Sequence, residues 1–270
     1  MPVVLEVMGP MNSRFDVATE LWAGAVVANG GTVSIGRKTL VDNLVRSLKT
    51  AALFSKLDRL SLYVAENEAS ALTDIITRRL STNVSGTTFT VDGGYTGDGA
   101  SSYINTNYNL VSDAVNYSLN SAHHSLWMLS ATEAAGVNVN FDGVYDGTNL
   151  TDMITGISPQ VIGRVNSPSE DIPGNGTDGY RGHWLANRSS ATDGQLYLNG
   201  VQVGTNNALS AGGVPAFNMF VFARNNFGSP ALFTAGPIGC FSAGASFNAT
   251  EAAAFSGILR AYMAAVGVQL

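Results

Sequence analysis

Apolar residues recur with a helical period in the first third of the chain. From about Ser34 to Phe54, Leu40, Val41, Leu44, Val45, Leu48 and Ala52 fall at i, i+4 and i+8 spacing, which makes one stripe of a helix. Arg37, Lys38, Arg46 and Lys49 sit mostly off that stripe, and the interleaved Asp42 argues against a helix built to grip nucleic acid or a membrane. Over Leu57–Ala65 the period drops to two, with Leu60, Leu62 and Val64 on one face of a strand. Glu68–Leu80 reads as a second, shorter helix with Leu72, Ile75 and Ile76 inward. Upstream, Val3–Met8 has a strand-like run before a turn at Gly9-Pro10, and Asn29-Gly30-Gly31 marks a loop. A helix, a strand and a helix make a segment too small for a strong core of its own, so it is expected to pack on the β-rich remainder of the chain or on another subunit.

The punctuation changes from residue 83. Asp92-Gly93-Gly94, Asp98-Gly99, Asp142-Gly143, Asp146-Gly147, Asp193-Gly194 and Asn199-Gly200 separate short β-branched or aromatic runs. Asp and Asn tolerate positive φ and Gly does so without penalty, so these pairs close hairpins. Strands are predicted at Thr87–Val91, Ser102–Asn105, Ser125–Leu129, Gly136–Phe141, Gln160–Val165, Gly182–Arg188, Phe217–Arg224 and Gly236–Ala243. A two-residue turn at Asn199-Gly200 pairs Leu198 with Val201, Tyr197 with Gln202 and Leu196 with Val203. Leu196, Leu198, Val201 and Val203 then form one apolar patch, and Tyr197 and Gln202 take the wetter face. Asn248-Ala249-Thr250-Glu251 has the form of a capping box, and Phe255, Ile258, Leu259, Tyr262, Met263 and Val266 give the closing helix one apolar side. Many short strands with such turns read as an antiparallel sandwich or barrel, so the chain is expected to be mainly β.

Composition narrows the class. The chain has 270 residues, 45% apolar and 13% charged, which is too apolar for intrinsic disorder. No apolar run is long enough to span a membrane, and the opening residues lack the pattern of a secretory signal. A single cysteine, Cys240, excludes an internal disulfide framework and a cysteine-rich zinc site. Residues 1–80 hold 9 Lys+Arg against 8 Asp+Glu, whereas residues 81–270 hold 5 against 12. That acidic balance would repel a phosphate backbone, so no nucleic-acid partner is expected. The break places a boundary near residue 80, with an N-terminal α/β attachment or oligomerisation segment at 1–80 and a β domain at 81–270.

The order of features resembles a known family. Thr88–Ile104, with its Asp92-Gly93-Gly94 and Asp98-Gly99 turns, looks like the opening strands of a laminin-G-like, concanavalin A-like jelly roll, and Gln195–Gly204 resembles that family's hairpin. The strand Gly239–Phe241 and the helix begun by Phe247-Asn248-Ala249-Thr250 resemble versions in bacteriophage and prophage proteins, as does the stretch from Gly30 to about Ile76. The resemblance spans most of residues 30–266, and its motifs are structural. It implies an antiparallel jelly-roll β-sandwich with a small N-terminal α/β segment and a C-terminal helix. It also implies a non-enzymatic virion protein of the capsid decoration, spike or tail-fibre kind. Such a protein would contact neighbouring virion subunits, copies of itself (a homo-oligomer, a trimer above other states) and host-surface polysaccharide.

The chemistry available to the β domain is limited. Glycoside hydrolysis, the alternative for this fold, needs two facing carboxylates. The Glu-x-Asp-x-x-Glu spacing of jelly-roll glucanases is absent, and the glutamates are Glu133, Glu170 and the cap Glu251. His123 and His124 are adjacent and would point to opposite faces of a strand, so they cannot share a metal. His183 has no ligand partner at motif spacing, and no Gly-x-Ser-x-Gly elbow is present. Laminin-G-like modules often carry calcium, and Asp142, Asp146 and Asn149 offer oxygen ligands around sharp turns, although Asp-Gly turns account for them without a metal. No other cofactor is implied. For sugar binding, which uses aromatic faces beside amides, the candidates are Tyr145, Tyr180, Trp184, Asn187 and Arg188. Beside Leu185 in a strand, Trp184 has core as its alternative reading, and Trp127, between Leu126 and Met128, reads as core.

Overall fold

The computed structural model describes residues 15–132, 138–157, 159–210 and 212–269. The expected strand at Val3–Met8, the Gly9-Pro10 turn, Glu133 and the start of the Gly136–Phe141 strand lie outside them. Two antiparallel sheets stack face to face, which bears out the expected sandwich. The first sheet runs β13 (Val201–Asn206), β12 (Gly194–Leu198), β11 (Gly182–Arg188), β6 (Ala122–Met128), β17 (Pro237–Gly244), β4 (Gly94–Thr96) and β3 (Thr88–Thr90). The second runs β10 (Ile172–Asn175), β9 (Gln160–Ser167), β8 (Leu150–Thr155), β7 (Asn140–Tyr145), β14 (Asn218–Val221), β5 (Tyr103–Asn109) and β2 (Thr82–Val84). A small hairpin, β15 (Arg224–Asn226) and β16 (Ser229–Ala231), extends it beside β7.

Residues 15–80 are woven into the first sheet and its helical cover. Strand β1 (Leu57–Leu62) pairs with β17 from Leu57↔Gly244 to Leu62↔Cys240. Leu60, Leu62 and Val64 face a helical layer, as the alternation predicts, whereas Tyr63 faces the sandwich interior. That layer consists of α1 (Val17–Ala28), α2 (Ile35–Thr50), α3 (Glu68–Leu72) and α4 (Ala249–Ala265). The stripe of α2 buries Val41, Leu44, Val45 and Leu48, and α4 buries Phe255, Leu259, Tyr262 and Met263 under its Asn248–Glu251 capping box. The Tyr262 hydroxyl ties three elements, donating to Val64 O at 2.9 Å and accepting from Arg37 Nη1 at 2.9 Å. Arg37 also pairs with Asp92, so it is buried instead of facing water.

Three local expectations are corrected. The second helix stops at Leu72, because Thr73 bridges to Leu80 and the carboxylate of Asp74 takes the amides of Leu60 (2.6 Å) and Thr77. Asn199 and Gly200 both have positive φ (52° and 83°) and Leu198 pairs with Val201, but a bulge then sets Leu196 against Gly204. Tyr197, expected on the wet side, is 3% exposed, and Val201 is 67% exposed. The reason is tertiary: helices cover the outer face of this sheet, while Val201 lies on its edge strand. Helix α1 and strand β8 fall outside the sequence expectations. Helix α1 is apolar on most sides and so lacks the amphipathic period that marks a helix.

Beneath α4, His123 and His183 form one hydrogen-bonded chain with Ser125, Ser242 and Ser256, all of it buried. His123 Nδ1 lies 2.6 Å from the carbonyl of Ala245, which can only accept, so Nδ1 carries the proton. Nε2 of the neutral ring therefore accepts from Ser242 Oγ at 3.2 Å, Ser242 accepts from Ser125 at 2.7 Å, and Ser125 accepts from His183 Nε2 at 3.0 Å. His183 Nδ1 then accepts from Ser256 of α4 at 2.7 Å. With both rings neutral, as their burial favours, every proton of the chain has one place. Burial, the dominant effect, lowers His123 to about 4 and His183 to about 3. His124 faces the other way, into the sandwich, with Asp142 Oδ2 at 2.8 Å and Arg164 O at 3.2 Å. Both partners accept, so His124 is an imidazolium. Burial lowers its pKa, and the charge and hydrogen bond of Asp142 outweigh that and raise it.

These histidines act on stability with opposite sign. Between the unfolded value of 6.5 and the folded values near 4 and 3, the unfolded chain binds more protons at His123 and His183. Their contribution is therefore complete above 6.5 and shrinks as pH falls. His124 has a raised pKa, so its contribution is complete at low pH and is lost as pH rises through the folded value. Thermal melts against pH are expected to show maximal stability in between and a decline below about pH 6. Ser256→Ala leaves His183 Nδ1 without its donor and is expected to cost about 1–3 kcal/mol in a denaturant titration.

Candidate functional site

The two sheets are not equivalent to solvent. Helices cover the outer face of the first, whereas the outer face of the second presents half-exposed Tyr103, Asn105, Asn107, Asn109, Gln160 and Arg164. The only aromatic side chain standing more than half clear of this surface among the described residues is Phe227, at the tip of the β15–β16 hairpin. Arg224↔Ala231 and Asn226↔Ser229 pair across it, leaving Phe227-Gly228 as a two-residue turn with φ 54° and 90°. Such a turn favours Asn-Gly. A bulky residue in the left-handed region costs of order 1–2 kcal/mol. Despite that strain, Phe227 is 55% exposed. Its burial therefore does not explain its presence.

The hairpin sets Phe227 against the loop after β7. The Phe227 ring meets Tyr145 edge to face, with centroids 5.1 Å apart at 74°. It also lies over Gly147, where φ is +99° and a Cβ would come within 2.3 Å of the ring. The Tyr145 hydroxyl is fixed by Gly147 O at 2.8 Å, and the Arg224 guanidinium sits 5.3 Å from the Tyr145 ring centre. Tyr145, Leu150, Arg164, Pro168, Ser169 and Arg224 line an adjoining concavity of about 330 Å³. Behind its two arginines lies Asp152, fully buried, with Asn140 Nδ2 at 2.6 Å, Arg164 Nη1 at 3.3 Å and Arg224 Nη1 at 3.8 Å. Burial raises the Asp152 pKa against the opposing pull of Arg164. Arg164 also binds Asp171 at 2.5 Å. Desolvation lowers the Arg164 pKa, and the two carboxylates outweigh that and raise it. Two larger hollows lack this convergence. The groove between α2 and α4, about 430 Å³, has no charged lining residue, and the hollow beside Glu66 and Glu68, about 620 Å³, has no cation.

Of the sugar-binding candidates, Tyr145 alone lines the concavity. Tyr180 is 4% exposed, with its hydroxyl on Gly156 O at 3.1 Å, and Trp184 is wholly buried, its Nε1–H donating to Tyr180 O at 2.8 Å. Asn187 is also buried, accepting from the Phe247 amide at 2.8 Å and donating to Gln195 at 2.6 Å. Arg188, without a carboxylate, gives its protons to the carbonyls of Val165, Asn166, Ser190, Ala191 and Ser210. Trp184, Asn187 and Arg188 lie on β11, inside the covered sheet and closed on both faces, and Tyr180 is buried just before it, so the structure does not bring these four to the concavity.

The calcium candidates do not converge either. Asp142 points into the sandwich at His124, while Asp146 accepts the amides of Thr148 (3.0 Å) and Asn149 (2.7 Å) in its own loop. Burial raises the Asp146 pKa less than these bonds lower it. Asp146 and Asn149 touch at 3.1 Å, but among the described residues no three acidic, histidine or cysteine side chains gather into a metal-binding set. Phe227, Arg224 and Arg164 escaped the sequence reading because Phe-Gly is not a usual turn pair. The signal present was Gly228-Ser229-Pro230 after a short polar run.

No family model matches the chain, and no curated protein matches it. Among solved structures it is similar to domain 4 of AbnA, a GH43 extracellular arabinanase from Geobacillus stearothermophilus, solved in complex with arabinotriose. That match has a TM-score of 0.50 and 15% identity over 74% of this chain and 98% of that one. The chain is also similar to the botulinum neurotoxin serotype D binding domain, with a TM-score of 0.53 and 12% identity over 77% of this chain and 52% of that one. A second structure of the neurotoxin D receptor binding domain gives a TM-score of 0.51 and 10% identity over 76% and 53%. The chain thus spans about half the length of the neurotoxin structures. At these identities the likeness establishes the β-sandwich fold.

Proposed function

We propose that this chain is a non-enzymatic adhesion module that binds surface glycans through the open face of its second sheet, with Phe227 and Tyr145 as the contact aromatics. One observation carries the reading: a strained turn holds an aromatic ring out in solvent beside a concavity lined by two arginines, a serine and a second ring. Flat rings cover the apolar faces of sugars, and flanking polar groups bond the hydroxyls. Domain 4 of the arabinanase, whose fold is similar, is described in complex with arabinotriose, and the neurotoxin domain is described as receptor binding. Both descriptions support the same direction. A hydrolytic role is disfavoured because the two carboxylates at the site, Asp152 and Asp171, are both committed to Arg164.

Within that reading the chain belongs to a virion, as a decoration, spike or tail-fibre component. The jelly-roll resemblance of Thr88–Ile104, the Gln195–Gly204 hairpin and the closing helix supports this. The helical layer lies on the covered side, away from the glycan face, and α1 exposes Val17 (66%), Leu21 (52%) and Val27 (60%), a surface suited to sister subunits or other virion proteins.

Binding of the purified protein to a glycan array is expected, and Phe227→Asn tests its site. Asn suits the left-handed turn, so relief of strain and loss of ring contacts should nearly cancel, leaving Tm within about 2 °C of the parent. Glycan affinity should fall about tenfold, the value of one aromatic contact. Unchanged affinity would remove Phe227 from the site. Light scattering on the intact chain is expected to give a homo-oligomer, with a trimer the favoured state, and a monomer at every concentration would contradict the assembly role.

A further inference from the structure

Resting on that glycan reading, we infer that the concavity selects sugars bearing a carboxylate, and that Arg224 is the group that recognises it. Arg224 differs from its neighbour. Arg164 is engaged by two carboxylates, Asp171 at 2.5 Å and Asp152 at 3.3 Å. Among the described residues, Arg224 approaches its nearest acid, Asp152, only to 3.8 Å, its one side-chain hydrogen bond is a long 3.5 Å contact to Asn226, and its buried Nε has no partner. Asp152 is shared: Asn140 and Arg164 hydrogen-bond its oxygens, and Arg224 stays at ion-pair distance without a hydrogen bond to it.

The guanidinium is also held ready. It lies over the Tyr145 ring at 5.3 Å, and its side chain is 19% exposed, so much of its hydration has been removed on folding. A planar guanidinium in a partly dry site pairs with a carboxylate through two parallel N–H···O bonds, an arrangement a neutral hydroxyl cannot match. Leu150 and Pro168 form apolar walls that strengthen such a pair. The nearby Glu170 does not compete for Arg224, because its carboxylate is taken by Ser167 and Ser210. Burial raises the Glu170 pKa, and the hydrogen bonds of those two serines outweigh that and lower it to about 2. Phe227, at the rim, is placed to lie against the ring of the same sugar whose acid group reaches Arg224.

The test uses the intact protein on an array of matched neutral, uronic-acid and sialylated oligosaccharides, with each acid also printed as its methyl ester. The parent protein is expected to bind an acidic sugar about tenfold or more tightly than its ester. Arg224→Gln should bring acid binding down to the level of its ester, and Arg224→Lys should restore only part of the preference. A melt of each variant checks folding. Equal binding of acid and ester by the parent, lost together in Phe227→Asn, would overturn the acid preference and leave the glycan reading standing. A preference that survives in Arg224→Gln would overturn the role of Arg224, and preference for sulfated over carboxylated sugars would overturn the ligand class. Binding to no sugar at all would overturn both this inference and the reading beneath it.

Discussion

The drying of one face of one sheet governs the rest of this molecule. The stripes of α2 and α4, with Trp22 and Val26 of α1, bury Leu60, Leu62, Trp127, Leu185, Tyr197 and Cys240 from the outside of the first sheet. A fully buried side chain of that size contributes roughly 1.5–3 kcal/mol. The layer is therefore a second core sharing a wall with the sandwich. Strand β1 makes the join covalent and hydrogen-bonded at once, since it lies between the helices in sequence and on β17 in space. The resulting unit places residues 15–80 inside the architecture of the β domain.

Drying that face leaves its polar side chains no water, so they must satisfy one another. The Ser256–His183–Ser125–Ser242–His123 chain does so without charge, and Asn187 does so with Gln195 and the Phe247 amide. Buried polar groups of this kind are costly unless all are paired. Their pairing requires α4 in one position, since Ser256 supplies the first proton. In the sandwich interior the opposite solution occurs, where the His124–Asp142 pair carries charge across from one sheet to the other. Adjacent histidines on one strand thus hold different protonation states because they face different neighbours.

With one sheet closed, the open sheet is the face left to do work. There a strained turn and an under-paired arginine meet beside one concavity. Phe227 occupies a left-handed turn position, Gly147 gives up its side chain so that the ring can pass, and Asp152 is buried beneath two arginines of which one remains short of partners. Strained backbone and incompletely paired charge both reduce stability, and their coincidence at one concavity is a reason to assign recognition to it.

The sequence by itself settled the mainly β class, the α2 stripe, the alternation of β1, the Asn199-Gly200 turn and the capped closing helix, because each depends on spacing within one segment. Adjacent side chains on a strand point oppositely, so the divergence of His123 and His124 was legible as well. What covers a face was not legible. Trp184, Asn187 and Arg188 have residue types suited to sugars, and only the second layer on each side of β11 makes them core. Tyr197 reads as the polar side of a hairpin until a helix lands on it. Arg164 comes from β9, Tyr145 from β7 and Arg224 with Phe227 from the β15–β16 hairpin, and local pattern carries no term for the distance between strands. Period and turn chemistry are local quantities, whereas burial and the meeting of charges belong to the packed whole.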